Sequence, residues 1–193
     1  MMDDFNEQYP EYEFEYKCLP RARISKLLSS GKADAFALTD PIFISSDAKS
    51  QYSASLPMWT IGDHLLVRRD SPITKTDLNY LYGRTITVLH GNSFGPLDTY
   101  FEKGLINKHP VYSTKQMLTL LLKKRVDAAI CNKTTLPGLV KQSGHSMDDF
   151  KILETPLYTF RLHLLVNRKK STFLHDFNEF LKNNPLPELQ EGG

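Results

Sequence analysis

The sequence predicts an α/β protein built as two similar halves, and three patterns carry that expectation. Strand–helix–strand units recur along the chain, each an extended or apolar segment, an amphipathic helix and a second apolar segment. The stretch KLLSSGKADAFALT at 26–39 resembles TLLLKKRVDAAICN at 119–132: in each, a leucine-rich helix end leads through a short basic turn into Asp-Ala and an apolar strand. Two copies are too few for a solenoid. Finally, HLLVRR at 64–69 and HLLVNR at 163–168 are near copies that bracket everything from 70 to 162. Twin strands around an inserted block are what a two-strand hinge between two lobes requires.

The elements follow in order. From Glu11 to Cys18 the chain alternates, with Tyr12, Phe14, Tyr16 and Cys18 on one side and Glu11, Glu13, Glu15 and Lys17 on the other, which predicts a half-solvated edge strand. Pro20 stands in the first turn of a helix whose face is Ile24, Leu27 and Leu28, and Gly31 ends it. Ala33–Leu38 reads as a buried strand. After the 64–69 strand, Arg84–Leu89 is a β-branched strand, His90–Gly95 a turn, and Pro96 opens a helix with Leu97, Tyr100, Phe101 and Leu105 on one face. Ser113 and Gln116 fit a capping box for a helix through Met117, Leu118 and Leu120–Leu122. Val126–Cys131 is a second buried strand, residues 137–142 a helix and Phe150–Leu153 a short strand. A last helix carries Phe173, Leu174, Phe177, Phe180 and Leu181, and Pro185 and Pro187 terminate it.

Composition narrows the function. The 193 residues are 40% hydrophobic and 24% charged, a balance that excludes disorder and coiled coil. No apolar run approaches the ~20 residues of a membrane span. Lys plus Arg number 24 against 22 Asp plus Glu, too even and too scattered to indicate nucleic acid. Cys18 and Cys131 read as two buried apolar thiols, and no Cys/His cluster has zinc spacing. No catalytic group, cofactor or metal is expected. The opening MMDDFNEQYPEYEFEY has no basic or apolar signal region, so taken literally the chain is cytoplasmic.

These elements place lobe one at 1–65 plus 164–193 and lobe two at 66–163. Ligands of open α/β sheets sit beyond the carboxyl ends of the strands. Those ends are Thr39 and Asp40 in lobe one, and His90–Gly95 and Asn132–Thr135 in lobe two, which makes a cleft between the lobes the expected site.

From about residue 9 to 182 the chain resembles the family 3 extracellular solute-binding proteins, with their type II periplasmic-binding-protein fold. The resemblance rests on Leu19–Arg23 through Gly31–Ala35, Leu56-Pro57-Met58-Trp59, the linker-like Asp70-Ser71-Pro72-Ile73 with Leu78–Gly83, the turn Gly91-Asn92-Ser93, Arg125–Ala128 and Glu154–Leu157. It implies a non-catalytic, two-lobed clam shell that captures a small polar solute, often an amino acid, for the membrane component of an ABC importer in the periplasm. The residues expected to touch the solute are Thr39, Asp40, Trp59, His90, Gly91, Asn92, Ser93, Asn132, Lys133 and Tyr158. The turn at Gly91–Ser93 would offer backbone N–H groups to an anion such as a carboxylate.

Three departures from the family pattern stand out. Ala48 falls where an Arg for the ligand carboxylate is expected, with Lys49 beside it only as a point charge. Asn132 stands where an Asp for the ligand ammonium is expected. The family's first strand has no counterpart in Met1–Pro10, where polar residues break any apolar pattern. That strand and a signal are then encoded upstream of a misassigned start, or the sheet closes with 12–18 pairing directly to 33–38, or another chain fills the slot. Two other functions compete with transport. One is a solute-sensing effector domain. The other is an enzyme of this fold acting on a small acid, for which Asp40, His90 and Lys133 are candidate acid/base groups.

Overall fold

The computed structural model describes residues 1–19 and 21–189. In chain order the elements are α1 (Met2–Gln8), α2 (Arg21–Ser29), β1 (Ala35–Thr39), α3 (Ser46–Gln51), β2 (Tyr52–Ala54), β3 (Trp59–Arg68), β4 (Thr85–Leu89), α4 (Pro96–Glu102), β5 (Asn107–Val111), α5 (Thr114–Leu122), β6 (Ala128–Asn132), α6 (Leu136–Gln142), β7 (Phe150–Ile152), β8 (Tyr158–Asn167) and α7 (Ser171–Asn183). Two compact units result. Unit 1 is Met1–Thr60 with Arg161–Leu189, and unit 2 contains Ile61–Phe160. The chain passes from one to the other within β3 and again within β8. The near-copy segments at 64–69 and 163–168 thus belong to longer strands of ten residues each.

In unit 2, β4 runs parallel to β5 and β6, while β3 runs antiparallel to β6 and also pairs with β7. The three inner strands alternate apolar side chains to both faces. Leu65 and Val67, Ile86 and Val88, and Ala128 and Ile130 pack with Leu97 of α4. Leu66, Ala129 and Cys131 pack with Met117, Leu118 and Leu121 of α5 and Leu136 and Val140 of α6. A sheet apolar on both faces must be covered on both, and these helices do so. The cap expected at Ser113 forms, its Oγ accepting from the Gln116 N–H at 3.2 Å, but the reciprocal bond of a capping box shifts by one residue: Gln116 Oε1 accepts from the Tyr112 N–H at 3.2 Å. Strand β5 was not anticipated, because NKHPV is polar and contains Pro110. It lies at the end of the strand order with its first four residues exposed, where proline and charge are tolerated.

In unit 1, β8 is flanked by β1 and β2, both antiparallel to it. Leu164 and Val166 face Phe5, Phe177 and Phe180, and Leu165 faces Leu28, Ala48 and Tyr52. The expected helix at 21–29 forms. Gly31 ends it at φ +62, a left-handed conformation that favours glycine. Pro20, expected in its first turn, lies outside the described residues.

Four expectations for this unit are corrected. Residues 11–18 form no strand. Their burial does alternate as far as Glu15, but Tyr12 and Phe14 turn to the aromatic cluster around Phe5 and Phe173 rather than to a sheet, and the Tyr12 hydroxyl donates to Asp176 at 2.6 Å. The sheet therefore does not close by pairing 12–18 with 33–38. Strand β1 is not buried: Ala35, Ala37 and Leu38 are exposed, because β1 ends the strand order with β8 as its partner among the described residues. Cys18 is exposed, and only Cys131 is a buried thiol. Finally, the segment around Ala48, where the family pattern places a carboxylate-binding Arg, is helix α3, capped by Ser45 Oγ on the Ala48 N–H at 3.3 Å. Ala48 is buried against Leu28, Tyr52 and Leu165, so that position has no room for an arginine.

Phe5 is the buried anchor of helix α1, with Met2 packed on the same core and Asn6 Nδ2 donating to the Tyr12 carbonyl at 3.1 Å. The wholly buried Phe5 ring lies 4.7 to 6.0 Å from the rings of Tyr9, Tyr12, Phe14, Phe173, Phe177 and Phe180. Phe5→Ala is expected to destabilise unit 1 by about 3–5 kcal/mol, read as a lower urea midpoint with a Trp59 fluorescence probe.

Candidate functional site

Because β4, β5 and β6 are parallel, their carboxyl ends share one edge of unit 2, where α/β sheets place their ligands. His90–Gly95 follows β4, Tyr112 and Ser113 follow β5, and Asn132–Thr135 follows β6. Strand β3 is antiparallel to β6, so its early residues reach the same edge, with Asp63 opposite Asn132 and His64 opposite Cys131. Tyr158, early in β8, joins them by donating its hydroxyl to Asp63 Oδ2 at 2.7 Å. The edge thus gathers His90, Gly91, Asn92, Ser93, Asn132, Lys133 and Tyr158 of the expected residues.

Many of these polar groups are already engaged. Ser93 Oγ donates to Asp98 Oδ2 at 2.7 Å, and the Phe94 N–H donates to the same oxygen at 2.8 Å. The turn therefore carries its own carboxylate where an anionic ligand was expected. Gly91, at φ +84, allows the chain to turn out of β4. Asn132 Oδ1 accepts from the Thr134 and Thr135 N–H groups at 3.0 and 3.2 Å, closing the loop before α6. Lys133 Nζ pairs with Glu154 at 2.8 Å, and that bond draws the Glu154 carboxyl below its ordinary value. The exposed His90 and Tyr112 rings stack with centroids 4.8 Å apart, and Asn92 is exposed at the turn tip.

Asp63 has the most distinctive electrostatics. Burial pushes its carboxyl above the ordinary range, opposed by the Tyr158 hydrogen bond and then by His64. The Tyr158 hydroxyl is pushed strongly upward by burial and by the charge of Asp63, with Asp98 adding to it. The Cys131 thiol is pushed up to about 12 by burial and Asp63. His64 Nδ1 lies 2.9 Å from the Leu153 carbonyl, which can only accept, so this nitrogen carries the proton. Among the described residues no group of three or more His, Cys, Asp and Glu could hold a metal ion.

Three expected residues belong to unit 1. Thr39 is buried opposite His163 in the β1–β8 ladder. Asp40 accepts from the Ile42 N–H at 2.9 Å and from the Arg161 N–H at 2.8 Å. Trp59 donates its indole N–H to the Pro187 carbonyl at 2.9 Å and packs beside Phe177 and Phe180. Sequence reasoning missed Asp63, Asp98 and Tyr112. Asp98 could have been found as the carboxylate in the first turn of α4, whereas Asp63 is marked only by its non-local partners.

No protein-family model matches the chain, and no curated protein matches it. Solved structures do. Holo ArgBP from T. maritima superposes with a TM-score of 0.69 at 19% identity, covering 95% of this chain and 80% of that one. The substrate-binding protein of an amino acid ABC transporter gives 0.67 at 19% identity, covering 94% and 78%. It has the fold of these binding proteins. The periplasmic VFT2 domain of BvgS from Bordetella pertussis also matches, with a TM-score of 0.66 at 16% identity over 94% of this chain and 75% of that one. The shared fold is that of type II periplasmic binding proteins, α/β throughout, as the sequence patterns predict.

The strain on Asp63 has a measurable sign. A carboxyl raised in the folded state penalises folding above its folded value, and the penalty fades as pH falls toward the ordinary value. Asp63→Asn, which can still accept the Tyr158 hydrogen, is expected to be more stable than the parent at pH 7. The gain should shrink as pH is lowered toward 4 (ordinary Asp pKa ≈ 3.9), as read by urea unfolding at a series of pH values.

Proposed function

We propose that this protein binds a small polar solute as the substrate-binding component of an ABC-type importer, acting in the periplasm and without catalysis. The observation that carries the reading is the fold match over nearly the whole chain to binding proteins of amino acid transport. The geometry supports it: the carboxyl edge of unit 2 presents an exposed turn, an aromatic pair and several polar side chains, as expected for solute capture. Among the described residues no helix is long and apolar enough to cross a membrane.

The test is a thermal-shift screen with amino acids, short peptides, polyamines and small organic acids. A solute at 100 times its dissociation constant stabilises by about 2.7 kcal/mol. For the solute found, Asn92→Ala is expected to weaken binding about tenfold, the loss of roughly one hydrogen bond, with the melting temperature of the empty protein unchanged. A screen in which no solute shifts the melting temperature overturns the reading. The match to the BvgS domain favours a second reading, a solute-sensing domain. Both readings predict solute binding, and only the importer component copurifies with a transporter membrane subunit.

A further inference from the structure

We infer that unit 1 carries a docking surface for an anionic phospholipid bilayer, formed where the 168–170 turn meets the ends of α2 and α3. This surface is distinct from the carboxyl edge of unit 2 and takes no part in holding the solute.

Basic residues that are scattered along the sequence meet at this corner. Asn167, buried at the end of β8, ties it together. Its Nδ2 donates to the Gly31 and Ala33 carbonyls at 2.9 and 3.3 Å, and its Oδ1 accepts from the Lys169 N–H at 3.1 Å. The turn that carries Lys32 is thereby fixed beside the turn that carries Arg168, Lys169 and Lys170. Arg168 Nη2 donates to the Lys49 carbonyl at 3.4 Å, which brings in α3. All five basic residues are exposed. The same segments carry two acidic residues, Asp34 and Asp47, so the corner is net +3 within a chain of net +2. Lys170 lies 3.7 Å from Asp34, but among the described residues no acidic side chain pairs with Lys32, Lys49, Arg168 or Lys169. Helix α7 begins here with no side-chain cap and no acidic residue in its first turn, so its positive end adds to the field. Glu13 and Glu15 flank Phe14, whose ring lies 5.9 Å from that of Phe173 in the first turn of α7, and they limit the corner on that side.

Unit 2 has a basic corner of its own, at the ends of β3 and α5, and it is different in kind. There Arg68 and Lys124 both pair with Asp70, at 2.9 and 3.1 Å, and Arg69 Nε donates to the Asp148 carbonyl at 3.0 Å. Those cations are largely answered within the chain, whereas the ones in unit 1 face solvent. The chemistry of the unit 1 corner selects a charged layer over other polyanions. Four of its five cations are lysines, point charges rather than the planar forks that clamp a single phosphate. No aromatic residue stands in 29–35, 46–51 or 167–172 on which a nucleic-acid base could stack. A bilayer asks for neither: each Lys or Arg near an anionic surface adds roughly fivefold in affinity, and the attraction fades within a Debye length.

The test is cosedimentation of the full chain with vesicles, either of phosphatidylcholine alone or with about one-third phosphatidylglycerol, at about 0.05 M and about 0.5 M salt. Binding to the anionic vesicles alone is expected, with release at the higher salt. Lys32→Gln/Lys49→Gln/Lys169→Gln removes three cations that form no ion pair among the described residues, and should weaken vesicle binding about tenfold or more. Lys123→Gln/Lys124→Gln/Arg125→Gln, the same loss of charge in unit 2, should change it by about twofold at most. Circular dichroism and melting temperature establish that both variants are folded. No sedimentation with anionic vesicles at the lower salt overturns the inference, and so does an equal loss in the two variants. Tighter binding to single-stranded DNA than to the anionic vesicles overturns it as well, and assigns the corner to a nucleic acid. Each of these results leaves solute binding intact, because the thermal-shift screen reads it separately; an empty screen beside salt-sensitive vesicle binding overturns the solute reading and leaves the docking surface standing.

Discussion

The structure of unit 2 depends on one constraint: strands β3, β4 and β6 bury apolar side chains on both faces. Leu65 and Leu66, adjacent in sequence, enter different cores, as do Ala128 and Ala129. Such a sheet requires helices on each side. Parallel strands joined by covering helices return the chain each time to the same starting edge. Every strand-to-helix turn then falls at the opposite edge, which is why His90–Gly95, Tyr112–Ser113 and Asn132–Thr135 come together although they are distant in sequence. The candidate site is a consequence of how apolar surface is covered.

The chemistry at that edge divides into groups that build the turns and a pair that joins two strands. Asp98, Ser93 and Asn132 bond to nearby N–H or O–H groups and define the loops. Asp63 and Tyr158 bond to each other across 95 residues, far from any turn that needs closing. Their bond ties β3 to β8, with the Asp63 carboxyl raised by burial.

Long-period patterns were legible in the sequence. The leucine faces of α2 and α5, the β-branched run of β4, the Ser113 cap and the phenylalanine stripe of α7 all form as read, because local periodicity and burial agree there. The misreadings have physical causes. Strand β5 is polar because it is an edge, and α3 is short with a single buried residue, so neither shows an apolar pattern. The alternation at 11–15 is real, but an aromatic cluster recruits Tyr12 and Phe14 just as a sheet would. At the site, the positions of the turns could be read, whereas Asp63 could not, since its importance comes from a ladder partner and a tyrosine that no spacing reveals.

The two ends of the strand order differ in one further respect. The outer rim of β5 carries Lys108 and Pro110, a charge and a missing donor that discourage a foreign strand from adding on. Strand β1 reads AFALT, without charge or proline, and its Leu38 is half exposed. Self-association during concentration or partial unfolding would therefore begin at β1, and a lysine placed at Ala37 is the solubilising change that the architecture itself suggests.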